Sequence, residues 1–400
     1  MAESNKIDSF KLTFLDEPFA SEFFLQTIEN LRIPVIQTPK SLEVGKGRNL
    51  LYLSGEKITE VVEHHEGALI YTHSENSIEW IENYLGKTKF YSSIQYFKNK
   101  VLFRNLLREI YPEFFFTTVR LDEIESIDIS MLPMPFIVKP AVGFLSLGVM
   151  RINSESDWNR SKKQVLKDCI AVKNFFPSCV VDSSTLIIEE YISGEEYASD
   201  CYFDQEGNPV VLSVFKHVFA SGDDVSDRVY TTSAEIVKST LPHIESFLQN
   251  LGKKTGLKNF PLHIEIRVSE ENEIMPIEVN PVRFGGWCTT ADMSFYSYGF
   301  NPYEYFFSCT KPDWPEIFRR DKGFLYSIIV LDNRTGISGG KIRSFNYKKL
   351  TREFEYLLEV REVDFSKHPV FGFMFVRTRE DNFDEIIRIL QSDLMDYITI

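Results

Sequence analysis

Positive charge is scarce in this chain: 44 Lys and Arg stand against 58 Asp and Glu, a formal net charge of −14. That balance, with a pI near 5.1, argues against a nucleic-acid surface as the main business of the protein. The cysteines are few and odd in number (Cys169, Cys179, Cys201, Cys288 and Cys309), and no two are spaced as CxxC. They read as reduced thiols, not as a disulfide frame or a zinc site. The opening residues MAESNKIDSF lack an apolar run after a basic start, so no signal peptide is expected. No segment approaches 18 uninterrupted apolar residues, so no membrane span is expected either. A cytoplasmic protein follows as the expectation. Two nucleotide signatures are also missing. No GxGxxG follows the first strand candidate, and no GK[ST] closes a glycine loop. Internal repeats and low-complexity tracts are absent.

What is present is ordinary in bulk, with 43% hydrophobic and 26% charged residues. The 34 Phe are unusual and point to aromatic-rich packing. Four hundred residues suggest two to four structural units. The informative stretch is His263 to Trp287, HIEIRVSEENEIMPIEVNPVRFGGW. Ile264, Ile266 and Val268 alternate with His263, Glu265 and Arg267, the period of a half-buried strand. A polar turn at residues 270–273 leads to a second strand in which Glu278 and Asn280, two apart, share a face. In a hairpin Glu265, Glu278 and Asn280 converge, and two carboxylates with an amide oxygen suit Mg²⁺ held together with nucleotide phosphates. Glu on alternate strand positions is ordinarily a solvated face. Here the tail raises the reading: Asn280-Pro281 ends the strand, Arg283 can pair an anion, and Gly285-Gly286 allows close backbone approach.

Residues 1 to about 92 alternate strand and helix, which implies a small parallel sheet. The adjacent His64 and His65 read there as solvated surface. Ile94, Phe97, Val101 and Ile110 form one helical stripe flanked by Asn99 and Lys100. Residues 136–140 are a strand closed by Pro140 and carrying Lys139. A loop with Gly143, Ser146 and Gly148 follows, able to fold over phosphates with its N–H groups. Leu186 to Glu190 is a buried strand, and Tyr191 to Gly194 turns the chain into Glu195-Glu196-Tyr197. Residues 210–219 form a strand with Lys216 and His217, and 220–233 a polar, mobile loop with Arg228. Trp287, Thr289, Thr290 and Asp292 are candidate acceptor-pocket residues, though packing and turn roles are favoured. Three strand candidates and a final helix carrying Phe383, Ile386, Ile387, Leu390, Leu394 and Ile398 complete the chain.

From about residue 93 to 310 these pieces, in order and spacing, resemble the ATP-grasp superfamily, in its carboxylate–amine ligase branch (D-alanine–D-alanine ligase-like or L-amino acid ligase-like). The resemblance implies an α/β and α+β protein. A Rossmann-like pre-ATP-grasp unit (1–92) would precede a small lobe with the glycine-rich loop (93–195). A large lobe with the metal site (196–315) and a C-terminal α+β extension (316–400) would follow, the two lobes clamping ATP. Lys100 and Lys139 match the phosphate-contacting lysines, and Gly143, Ser146 and Gly148 the hairpin over the phosphates. Glu189, Glu190, Tyr191 and Ile192 match the adenine hinge, with Glu196 at the ribose. Glu265, Glu278 and Asn280 match the metal ligands. Arg283, with Lys139, would stabilise the transferred phosphoryl group. Two departures are visible: Val282 intervenes where the family has Asn-Pro-Arg, and the glycine-rich loop has Phe144 and Leu145 where small polar residues are common.

The activity this implies is ATP-dependent joining of a carboxylate to an amine through an acylphosphate, with ATP and Mg²⁺ (or Mn²⁺) as cofactors. Lys216, His217 and Arg228 are further candidates for phosphate or substrate carboxylate. A kinase on the same fold, or a non-catalytic ATP-binding regulator, is the alternative. The C-terminal block would close the site or form a homodimer contact.

Overall fold

The computed structural model describes residues 10–58, 60, 62, 67–143, 149–172, 182–221, 224, 226–320 and 323–400. Four short strands open the chain: β1 (Lys11–Phe14), β2 (Val35–Ile36), β3 (Tyr52–Leu53) and β4 (Leu69–Thr72). They form a parallel sheet in the order β3-β2-β1-β4. Helix Glu22–Asn30 begins where the Ser21 hydroxyl accepts from the Phe24 N–H, and it buries Phe24, Leu25 and Ile28. The chain leaves β1 for β2 on one side and returns to β4 on the other. The carboxyl ends of β1 and β4 therefore flank a switch point, the usual ligand crevice of such sheets.

The single helical stripe expected around residue 100 is two helices, Lys89–Lys98 and Lys100–Leu107. Asn99 breaks it. Its backbone is extended, and its side-chain oxygen accepts from the N–H groups of Val101 and Leu102 at 3.0 and 3.2 Å. Lys100 thereby becomes the first residue of the second helix.

A second sheet, antiparallel, contains β5 (Phe116–Arg120), β6 (Phe136–Val142), β7 (Met150–Ile152) and β8 (Asp182–Glu190) in the order β5-β8-β6-β7. The strand bearing Lys139 runs past Pro140 to Val142, with its register broken between those two residues. The third sheet is the largest. It contains β9 (Glu195–Phe203), β10 (Pro209–Val211), β11 (Phe215–Val218), β12 (Val229–Thr232), β13 (Phe260–Val268), β14 (Ile274–Pro281), β15 (Phe324–Asp332), β17 (Tyr356–Glu362) and β18 (Val370–Arg379). Their order is β14-β13-β9-β11-β12-β15-β18-β17, with β10 on β9. The C-terminal strands thus extend the sheet that carries the β13–β14 hairpin. A short pair, β16 (Ser344–Phe345) and β19 (Ile398–Thr399), lies apart.

Three sequence expectations change. The strand over 210–219 is two strands, β10 and β11. The polar stretch 220–233 includes β12, because Val229, Thr231 and Thr232 are buried between β11 and β15. The final helix spans only Asp384–Gln391: Ser392 is extended and Leu394 is left-handed, so Ile398 falls in β19.

The excess of Phe finds its use between the first sheet and the third. Phe24, Tyr71, Phe284, Tyr303 and Phe306 pack in tilted and edge-on pairs with ring centroids 4.8 to 6.3 Å apart. One hydrophobic core runs through this wedge from the first sheet into helix Ala234–Thr255. The relation between sheets is therefore set by packing.

Candidate active site

The centre is the hairpin of β13 and β14. Glu265 lies directly opposite Glu278 and His263 opposite Asn280, so these four side chains share one face. A β-bulge follows Glu265, where the pairing shifts so that Ile266 faces Pro276. Bulges re-aim side chains, and this one sits beside the acidic pair. Arg104 holds it in place, donating to the carbonyls of Pro276 (2.6 Å) and Ile277 (3.3 Å). Asn280 donates to Glu278 at 3.2 Å, which brings the three candidate metal ligands together.

Like charges opposed across strands repel. Burial first, and then Glu278 opposite, push the Glu265 carboxyl well above the usual range. Glu278 is also buried, but Lys100 and Lys139 outweigh that and hold it low. Among the described residues no group of three or more His, Cys, Asp or Glu makes a metal cage. The donor set here is two carboxylates and an amide oxygen, all hard oxygen donors. That set fits Mg²⁺ or Mn²⁺ sharing its remaining positions with phosphate oxygens.

Cations surround this face. Lys100 reaches Glu278 at 3.1 Å and donates to the Gly143 carbonyl at 3.0 Å, joining its helix to the start of the glycine-rich loop. Lys139 lies 2.8 Å from Glu189, and Arg104 donates to both oxygens of the same carboxylate at 2.8 and 3.1 Å. Glu189 is only 2% exposed, and both of its oxygens are bound by cations. Its carboxylate, read from sequence as facing adenine, instead anchors Lys139 and Arg104. Ser146 and Gly148 lie outside the described residues, as do His64 and His65.

The hinge is tightly built. The Glu190 N–H donates to Phe115 and the Tyr191 N–H to Pro135, both at 3.1 Å. The Ile192 carbonyl accepts from Arg267 at 2.6 Å. The guanidinium groups of Arg151 and Arg267 lie over the Tyr191 ring, 4.0 and 4.9 Å from its centroid. Gly194 has φ +110°, and a Cβ there would meet the Val268 carbonyl at 2.3 Å, so only glycine fits this turn. Glu196 accepts from Arg267 at 2.9 and 3.0 Å and lies 3.0 Å from His217 Nδ1. His217 is buried between Phe219 and Tyr230, with Nε2 3.0 Å from the Ser226 carbonyl. Lys216 pairs with Glu195 near the surface.

Arg283 departs from expectation. The extra residue, Val282, is left-handed at φ +59°, costly for a β-branched side chain. Its carbonyl accepts from the Thr72 N–H at 2.9 Å, which docks the turn on the end of β4. Arg283 then turns to Glu75, donating to one oxygen at 3.1 and 2.5 Å, while Lys98 binds the other. Burial raises the Glu75 carboxyl, but Lys98 and Arg283 overcome it and hold it at about 2. Arg228 is not a ligand group in this structure. It is buried 2.8 Å from Asp332 and donates to the Leu390 carbonyl at 2.5 Å, tying β12 to the C-terminal helix.

Of the acceptor candidates, Asp292 pairs with Arg361 at 2.6 Å and accepts from Tyr303 at 2.8 Å. Burial pushes its carboxyl up to about 6 against the pull of Arg361. Thr290 accepts from the Gly285 N–H at 2.9 Å, and Thr289 donates to the Gly286 carbonyl at 2.8 Å. The Trp287 ring stacks 6.1 Å from Phe19 of the first unit, and its carbonyl accepts from Arg361. Arg104, Glu75, Lys98 and Arg361 were not found from sequence. Only the stripe positions of Lys98 and Arg104 on the helices flanking Lys100 carried any signal.

Residues 132–291 match the model of the ATP-grasp domain. Over that span the chain is similar to an ATP-grasp domain. The likeness in fold extends over nearly the whole chain. An L-amino acid ligase from Bacillus licheniformis superposes with TM-score 0.68 at 17% identity, over 98% of both chains. Biotin carboxylase from Campylobacter jejuni, in a β-γ-ATP complex, gives 0.61 at 12% identity, over 92% of this chain and 87% of that one. Phosphoribosylglycinamide synthetase from Anaerococcus prevotii gives 0.57 at 14%, over 98% and 99%. No curated protein sequence matches the chain. The sheet with Lys139 and the sheet with Glu265 meet through Lys100 and Arg104, which contact both. No helix among the described residues is long and apolar enough to cross a membrane.

Proposed function

We propose that the protein is an ATP-dependent ligase that joins a small carboxylate, of the amino-acid class, to an amine through an acylphosphate, releasing ADP and phosphate. The observation that carries this reading is the Glu265–Glu278 pair, directly opposed and joined by Asn280, on a face ringed by Lys100, Lys139 and Arg283. Bound by Glu265, Glu278 and Asn280, Mg²⁺ would neutralise phosphate charge. Lys100 and Lys139 hold phosphate oxygens, and the salt bridges that fix both lysines pre-organise them. The hinge at Glu190–Ile192 holds the base, and Glu196, set by Arg267 and His217, lies at the ribose.

ATP supplies the phosphoryl group to the substrate carboxylate, whose acylphosphate carbon the amine attacks with loss of phosphate. Arg283 then stabilises the anionic intermediates once it exchanges part of its bond to Glu75 for substrate. Phe19 and Trp287, whose rings stack on one another, help to exclude water from the acylphosphate. The likeness to an L-amino acid ligase supports an amino-acid substrate by analogy of fold.

The test is phosphate release from Mg-ATP across pooled amino acids and small carboxylic acids, with mass spectrometry of the products. Phosphate that appears only when two pools are combined, with a product lighter than their sum by one water, is the expected result. A stable phosphorylated acceptor formed without an amine would make the protein a kinase.

A further inference from the structure

Beside the metal-ligand pair lies a second buried pair that the reaction as described does not use. In the register of β9, β13 and β14, Asp200, His263 and Asn280 form one row across the sheet, and Ala198, Glu265 and Glu278 the next. Glu196 and Arg267 form a further row on the same face. The ribose contact, the metal ligands and the Asp200–His263 pair therefore follow one another along the face, with the pair on the side away from the ribose.

His263 Nδ1 is 2.7 Å from an Asp200 oxygen, and His263 Nε2 is 3.8 Å from Glu265. The longer distance brings the ring against the Glu265 carboxylate without a hydrogen bond. The same Asp200 oxygen accepts from the Gly285 N–H at 2.9 Å. Asp200 is fully buried, and its other oxygen has no hydrogen-bond partner among the described residues. Gly285 is confined as well: a Cβ there would lie 2.2 Å from the Thr290 hydroxyl. One buried carboxylate thus fixes the ring beside Glu265 and the turn that follows Arg283. A buried, incompletely satisfied carboxylate is costly, and packing alone would be served better by an apolar residue.

We infer that Asp200 and His263 are positioning residues for the metal site, a deepening that rests on the ligand assignment of Glu265, Glu278 and Asn280. Asp200 sets the orientation of the His263 ring, and His263 sets the rotamer of Glu265. Through Gly285, Asp200 ties the Arg283–Trp287 turn to the same anchor. Outer partners of metal ligands that act in this way change metal affinity by about 10–100-fold when replaced.

The experiment is a Mn²⁺ titration followed by electron paramagnetic resonance in the presence of AMPPNP, on the full chain. It compares wild type, Glu278→Gln, His263→Gln, Asp200→Asn and the Asp200→Asn/His263→Gln double variant. The expected result is loss of binding in Glu278→Gln and about 10–100-fold weaker Mn²⁺ binding in each of the other single variants. The double variant should be no weaker than His263→Gln alone, because Asp200 acts on the metal through His263. Unchanged Mn²⁺ affinity in His263→Gln and Asp200→Asn, with binding lost in Glu278→Gln, overturns this inference and leaves the metal site standing. Wild-type affinity in Glu278→Gln overturns the metal assignment itself. Wild-type protein labelled with ¹⁵N-histidine covers the case of variants that do not fold. Pulsed resonance should then detect a histidine nitrogen weakly coupled to the bound Mn²⁺, and no coupled histidine nitrogen would refute the inference.

Discussion

Two sets of glutamates line this site, and they differ in how their charge is countered. Glu75 and Glu189 each lie between two cations, with side chains 6% and 3% exposed. Glu265 and Glu278 face each other, with side chains 24% and 20% exposed. Burial raises all four carboxyls, yet Lys98 with Arg283, and Arg104 with Lys139, hold the first two at about 2. Glu265, set against Glu278, is pushed well above the usual range. The first set is finished with partners from the protein. In the second, Lys100 counters Glu278 while Glu265 has no Lys or Arg paired with it among the described residues. That difference, more than any motif, separates the carboxylates that hold the structure from the pair we propose for a divalent cation.

The largest effect that would break this comparison is on turnover. Glu278→Gln should lower phosphate release by about a thousandfold, some 4 kcal/mol of transition-state stabilisation, with folding largely retained. Near-normal release would remove the hairpin from the chemistry. Glu189→Gln should act the other way round, on stability first. It leaves Arg104 and Lys139 buried without their anion and should cost about 3–5 kcal/mol in urea unfolding. A loss below about 1 kcal/mol would show that the clamp is not structural.

Acid sharpens the same contrast. The Glu75 and Glu189 carboxyls are depressed on folding, so their contribution is full above the unfolded value near 4.5 and is lost as pH falls toward about 2. Each is worth on the order of 3 kcal/mol. Unfolding free energy should therefore drop steeply between about pH 4.5 and 2, and Glu75→Gln should flatten that slope. His73 adds to the same side from higher pH. Buried and lowered to about 3, it favours the fold while neutral, and that contribution fades as pH falls from about 6.5. His73→Phe should remove that part of the slope. The smallest effect is expected at Lys216, whose partner Glu195 is well exposed. Lys216→Ala should change stability by no more than about 0.5 kcal/mol.

Much of this was legible in residue order. Period-two alternation placed Glu265, Glu278 and Asn280 on one face, and the short first strands were visible as apolar runs between polar turns. The helix break at Asn99 was hidden because an N-cap residue in an apolar stripe does not disturb its spacing. β12 was hidden because its buried Thr231 and Thr232 read as polar loop; the Thr231 hydroxyl is within 2.8 Å of Ser327, on a strand nearly a hundred residues away. The engagement of Glu189 by Arg104 could not be read locally, since the two lie 85 residues apart. Val282 was visible as an insertion, but its outcome was not: a left-handed turn docked on Thr72, and Arg283 held by Glu75 across 208 residues.

The most direct measurement supplies substrate pools whose carboxylates carry ¹⁸O, with Mg-ATP and an amine pool, and follows the label. A ligase working through an acylphosphate must transfer one ¹⁸O from the carboxylate to inorganic phosphate for each amide formed. Amide formed with unlabelled phosphate, or a phosphate group retained on a single acceptor, would contradict the account.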